Sequence, residues 1–231
     1  MSDSSPALTR AAAVRVRVDD ALLDGDLGLP PRAAGLVIFA HGSGSSRHSP
    51  RNRRVARYLN ERGLGTLLLD LLTPDEERTD LVTGGLRFDI PLLARRVAGA
   101  AGWALREATT RDLSIGLFGA STGAAAALVT ASELGSRVAA VVSRGGRPDL
   151  AGDALPRVTA ATLLIVGDHD FEVLELNRRA FAQLRCKAEL ATVAGATHLF
   201  EEPGALDEVA RLAADWFGRH LPAGAGAAER D

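Results

Sequence analysis

Residues 14–18, VRVRV, alternate apolar and polar side chains with a period of two, as a strand with one wet face requires. A second short strand is expected at 22–29, stopped by Pro30-Pro31. Five later runs lose the alternation: LVIFA (36–40), GTLLL (65–69), SIGLF (114–118), VAAVV (138–142) and TLLIV (162–166). Near-continuous apolar runs suit strands buried on both faces of a parallel sheet. AELATV (188–193) closes the series. Helical patterns separate the runs at about 52–62, 90–108, 123–134, 172–184 and 206–219. Two antiparallel strands followed by strand–helix units predict an α/β fold, a mostly parallel eight-stranded sheet with helices on both faces. No repeat or Pro/Ser-rich linker splits the chain, so residues 1–221 are expected to form one domain, with flexible tails at 1–10 and 222–231. The stretch 71–88 has no clear periodicity and is expected to line a pocket, being too short for a large lid.

Composition narrows the function classes. A net charge of -2 gives no basic surface for nucleic acid or anionic membrane. The single cysteine, Cys186, rules out an internal disulfide and a Cys-rich zinc site. MSDSSPALTR lacks the features of a signal peptide, and no apolar run reaches the roughly 20 residues of a membrane span. A soluble, cytoplasmic protein is expected.

The chemistry starts at Gly119-Ala120-Ser121-Thr122-Gly123, between a buried apolar run and the small-residue run AAAALV. A nucleophile on a sharp strand-to-helix turn has a strained backbone and needs small neighbours two positions away. The turn lifts the serine oxygen off the sheet and points the helix N–H groups at a developing oxyanion. Serine also needs a base. Of five histidines, His198 is the candidate, in the loop GATH after the strand at 188–193. His41 is read as a packing residue, His169 as an exposed loop residue, and His220 as structural, a cation favoured at a helix C-terminus. The acid is Asp168 or Asp170, both in GDHD after the strand at 162–166; Asp170 is preferred because a helix follows it, whereas Asp168 can brace the turn.

Arg47, His48, Arg51, Arg53 and Arg54 read first as a solvated helix face, with Arg47 or Arg51 as an alternative anion receptor. Arg144 and Arg147, after the strand at 138–142, belong beside the turn at 119–123, where either can fork a carboxylate or phosphate or pair with Asp149, Asp153 or Glu201. Arg144, Arg147 and Arg47 are therefore the candidate substrate-binding residues.

The order His41-Gly42, GASTG, GDHD and GATH resembles the α/β-hydrolase superfamily, and FAHGSGSSRHSPRN, VSRGGRPDLA and VLELNRRA resemble its dienelactone-hydrolase-like branch, over roughly residues 10 to 220. The resemblance implies the α/β-hydrolase fold with little or no cap, and a catalytic triad of Ser121, Asp170 and His198, the acid falling three residues after Gly167. It further implies an oxyanion hole formed by the backbone N–H groups of Ser43 (or Gly44) and Thr122. The name-giving enzymes use a cysteine nucleophile where this chain has Ser121. The implied activity is hydrolysis of an ester or thioester through an acyl-enzyme, with no cofactor and no metal. A small ester-like molecule is the expected partner, an anionic one if the candidate arginines receive it; nucleic acid and membrane are not, and homodimer formation stays open. An acyltransferase or perhydrolase with the same triad, or a non-catalytic relative, is the alternative. A dinucleotide binder would use Gly42, Gly44 and Asp70, but Arg47 stands where the third glycine belongs.

Overall fold

The computed structural model describes residues 11–221; the flexible tails expected at 1–10 and 222–231 lie outside the described residues. The strands are β1 (Ala12–Val18), β2 (Ala21–Gly28), β3 (Leu36–Ala40), β4 (Gly65–Leu69), β5 (Ile115–Ala120), β6 (Val138–Arg144), β7 (Ala161–Gly167) and β8 (Ala188–Val193). They form one sheet in the order β1-β2-β4-β3-β5-β6-β7-β8. β2 runs antiparallel to both neighbours, and the strands from β4 to β8 are parallel, as the apolar runs predict. Among the described residues, no helix is long and apolar enough to cross a membrane.

Period-two geometry sends successive residues of each buried strand to opposite faces. Leu36, Ile38 and Ala40 of β3 join one core, and Val37 and Phe39 the other. The first core is covered by α3 (Ile90–Ala104), α4 (Thr122–Leu134) and a 3₁₀ segment at Pro148–Arg157. The second is covered by α1 (Pro50–Glu61) and α6 (Ala205–His220), whose Trp216 and Phe217 are fully buried. α5 (Phe171–Phe181) packs on the 3₁₀ segment near the β7–β8 edge.

One element departs from the expected pattern. Within 71–88 the chain forms α2 (Pro74–Thr83) and a 3₁₀ turn at Leu86–Phe88. α2 buries only Asp80, so it shows no amphipathic stripe; its ends define it instead. Thr73 and Glu76 make a reciprocal capping box, Pro74 opens the first turn, and Gly84 closes the helix in the left-handed region at φ 67°. Burial alone would raise the Asp80 carboxyl, but bonds from the Arg87 backbone N–H and guanidinium hold it below its usual value. That pair ties the end of α2 to the 3₁₀ turn.

The strand order reverses around β3, because β4 lies on one side of it and β5 on the other. Ligands of open α/β sheets gather at the carboxyl ends of strands at such a switch point. The loop at His41-Gly42-Ser43 and the turn at Ser121 leave β3 and β5 there, where Ala40 is level with Gly119.

Candidate functional site

Ser121 lies at φ 50°, ψ -123°, a conformation uncommon for any residue with a Cβ. Its glycine neighbours are needed for clearance: a Cβ on Gly119 would fall 2.4 Å from Ala124 Cα, and one on Gly123 would fall 2.2 Å from the Ala40 carbonyl oxygen. The turn is held from outside, because the Ser121 carbonyl accepts from the Ala124 and Arg147 N–H groups, both at 3.1 Å. Such over-determination lets a strained residue persist.

Ser121, His198, Gly42, Ser43 and Arg144 line one cleft of about 250 Å³. His198 Nδ1 is 2.7 Å from Asp170 Oδ2, which leaves Nε2 as the ring nitrogen free to face the cleft. Asp170 sits at the start of α5, and its side chain is only 14% exposed. Asp168 does another job: its Oδ1 accepts from the Gly195 N–H at 2.7 Å, bracing the turn after β7 against the turn after β8. The His198 loop is anchored by Glu202, which accepts from the Thr197 N–H at 3.1 Å and from its hydroxyl at 2.5 Å.

Ser43 borders both this cleft and an adjoining pocket of about 80 Å³, lined also by Thr122, Leu72, Leu81 and Leu93. Thr122 is the first residue of α4, so its N–H has no intrahelical acceptor. Gly44, the alternative donor, borders the smaller pocket only. This pocket lies under α2, where the aperiodic stretch is expected to contribute.

The loop carrying Ser43 is fixed by His41. The Leu71 N–H donates to His41 Nε2 at 3.1 Å, so the proton sits on Nδ1, which donates to the Gly42 carbonyl at 2.9 Å. Burial pushes this imidazole below the ordinary histidine value, against smaller upward effects of the Gly42 carbonyl, Asp70 and Glu77. The folded chain therefore keeps His41 neutral, while the unfolded chain takes up a proton near pH 6.5. Its contribution is complete above that pH and is lost as the pH falls below it. The unfolding temperature is expected to drop between about pH 7.5 and 5.5, and to drop less in His41→Gln; equal drops would contradict this account. Some loss should remain, because His220 is also pushed down, by burial and then by Lys187 and Arg219. His220 is a packing residue, its ring on Trp216 with centroids 4.4 Å apart, and burial works against the cation that would favour the helix dipole. His169 is exposed beside Phe171.

The three candidate arginines part company. Arg47 is engaged by Asp70, through its backbone N–H at 2.7 Å and its guanidinium, with Asp24 and Asp26 within 4 Å. This also occupies the acid that a dinucleotide binder would need for its ribose. Arg147 makes a two-pronged bond to Asp149 at 2.9 and 2.8 Å. Neither borders the cleft. Along the basic run, Arg53 meets Asp26 and Arg54 meets Asp207. Arg51 donates to Glu201 at 3.0 Å and also borders the cleft.

Arg144 alone lines the cleft with no carboxylate within 4 Å among the described residues. It is 7% exposed, its terminal nitrogen reaches the Asn52 amide oxygen at 3.4 Å, and its Nε has no partner. Desolvation, reinforced by the Arg51 charge, lowers its pKa to about 10, so it stays protonated at neutral pH. Asn52, 2% exposed, and Phe200, 5.9 Å beneath the guanidinium, are site residues that the sequence patterns did not single out. Nothing in the local pattern distinguishes Asn52 from a surface helix residue. Phe200 in THLFEE sits two places after His198 and was open to notice.

No family model matches the chain. Over 197 residues it is 58% identical to two Mycobacterium tuberculosis proteins, of strains H37Rv and CDC 1551, provisionally named phosphoribosyl transferases. The match takes in 85% of this chain and 44% of each relative, so the chain spans less than half their length. Among solved structures, dienelactone hydrolase from Anabaena variabilis is 54% identical with a TM-score of 0.92, over 93% of this chain and all of that one. The fold is shared at 17% identity and TM-score 0.75 with Est1E from Butyrivibrio proteoclasticus, over 90% of this chain and 98% of that one. It is shared at 18% identity and TM-score 0.71 with a dienelactone hydrolase-like promiscuous phosphotriesterase from metagenomic libraries, over 93% of this chain and all of that one. With the Anabaena protein matched end to end at this identity, the chain belongs to the dienelactone-hydrolase branch of the α/β-hydrolase superfamily.

Proposed function

We propose that the protein is a serine hydrolase that cleaves an ester or thioester by way of a covalent acyl-enzyme. The observation that carries this reading is the cleft shared by Ser121 and His198, with the far ring nitrogen of His198 on Asp170 at 2.7 Å. Ser121 Oγ attacks the substrate carbonyl as His198 Nε2 accepts its proton. The oxyanion is held by the Ser43 and Thr122 N–H groups, each such donor being worth about 10²–10³ in rate. His198 then passes the proton to the leaving group, and water repeats the sequence to release the acid. Asp170 fixes the tautomer and stabilises the imidazolium without taking the proton.

Two acetate esters with different leaving groups test the acyl-enzyme. In water with added methanol, both should give the same ratio of acetic acid to methyl acetate, because both pass through one intermediate. A ratio that changes with the leaving group would rule it out. The same experiment separates a hydrolase from an acyltransferase, since the latter gives ester product far beyond the methanol share of the solvent. In this reading, the transferase name of the mycobacterial relatives belongs to the more than half of their length that this chain does not span.

A further inference from the structure

Two lobes of different character meet at the Gly42-Ser43 loop, and Ser121 borders the larger of them. The larger, about 250 Å³, is lined by Arg144, Arg51, Ser45, Ser49, Asn52 and His198, and by no acidic side chain. α1 opens into it with Ser49 as its cap and no acid in its first turn, so the positive end of the helix faces the same space. Arg144 is more than nine-tenths buried, borders the lobe and has no carboxylate within 4 Å among the described residues, so its charge is desolvated without an acidic partner. The lobe is cationic.

The smaller lobe differs. Its roughly 80 Å³ is bordered by Leu72, Leu81 and Leu93, and by Glu77, Asp80 and Arg87, the last two paired with each other, so it offers apolar contact and no unpaired cation to an anion. An apolar cavity of about 150 Å³ takes benzene, so this lobe has room for about three carbons. The larger lobe has room for a ring and an oxyacid group. The direction of the ester follows from the proton: the leaving oxygen is protonated by His198, and His198 borders the larger lobe only.

We infer that the site takes esters of a short acyl group, acetyl to propionyl, whose alcohol or phenol carries a carboxylate or phosphate gripped by Arg144. The inference rests on the serine-hydrolase reading for its direction, not for the anion site. In the acylation step the Ser121 Oγ–carbonyl bond forms and the carbonyl–O bond to the leaving group breaks. The Ser121 proton moves through His198 to that oxygen, leaving a neutral hydroxyl on the anionic product.

The test compares 4-acetoxybenzoate with its methyl ester, each rate divided by its rate with hydroxide. The anion should be favoured about tenfold or more, and Arg144→Gln should lower kcat/KM for it about 10- to 100-fold more than for the neutral ester. Equal losses overturn the anion site. The hexanoyl analogue should be at least about tenfold poorer than the acetyl ester; equal rates overturn the short-acyl assignment. Binding is read separately, by calorimetry of 4-hydroxybenzoate on Ser121→Ala protein. Adding Arg144→Gln should abolish the binding, and Arg144→Lys should retain part of it. Undiminished binding in Arg144→Gln overturns the inference even where the esters cannot be followed. If wild-type protein leaves p-nitrophenyl acetate uncleaved, the hydrolase reading falls while the binding result still decides the anion site.

Discussion

Ser121→Ala is expected to lower kcat for p-nitrophenyl acetate by about 10⁴-fold or more, leaving only the turnover that oxyanion donors and binding support without a nucleophile. The physical reason is that no second hydroxyl shares its place. Ser43, Ser45 and Ser49 border the same cleft, but they lie between β3 and the start of α1, off the strained turn and the α4 N-terminus that set up Ser121. The variant should fold as wild type does, because alanine has the same difficulty as serine at φ 50°. Ser121→Gly relieves that difficulty and should be more stable to unfolding than Ser121→Ala by about 1 kcal/mol after the extra chain entropy of glycine is subtracted. Retained turnover in Ser121→Ala, with the fold intact, would move the chemistry elsewhere.

The second large effect separates the two aspartates of GDHD. Asp170→Asn should cost about 10⁴-fold in kcat, because an amide can present its N–H to His198 Nδ1 and leave the ring in the wrong tautomer. Asp168→Ala should leave kcat within about tenfold and instead lower stability by about 1 kcal/mol, the usual worth of a bond such as Gly195 N–H to Asp168 Oδ1. Steady-state kinetics and thermal unfolding of the two variants read the two effects independently. If Asp168→Ala is the dead enzyme and Asp170→Asn the merely weakened fold, the roles assigned here are exchanged.

Patterning carries far in this chain where burial is uniform. LVIFA, GTLLL and TLLIV allow only a doubly covered sheet, and β3, β4 and β7 appear within a residue or so of those runs. α2 escaped because periodicity measures burial, and this helix buries one residue. Its Thr73-Pro74-Asp75-Glu76 start and Gly84 stop were readable as caps all the same. The 3₁₀ segment at Pro148–Arg157 was hidden by its own irregularity, with Gly152 at φ 48° and Pro156 inside it.

At the site, residue type and order pointed to Ser121, His198 and the GDHD turn, because each falls directly after a strand that the pattern defines. Sorting the arginines was beyond the sequence. Arg47 and Arg147 follow β3 and β6, and Arg144 ends β6; Arg147 meets Asp149 two residues on, but Asp70 is 23 residues from Arg47 and Asn52 is 92 residues from Arg144. Which cation stays unpaired depends on where distant carboxylates end up, and local pattern does not encode that.

A fluorophosphonate, followed by peptide mapping, tests the central claim most directly. It reports an activated alcohol without any assumption about the natural substrate. The wild-type protein should gain one phosphonyl group, on Ser121, and the labelling rate should fall by orders of magnitude in His198→Ala. An unlabelled Ser121 in folded protein, or labelling that is indifferent to residue 198, would contradict the assignment.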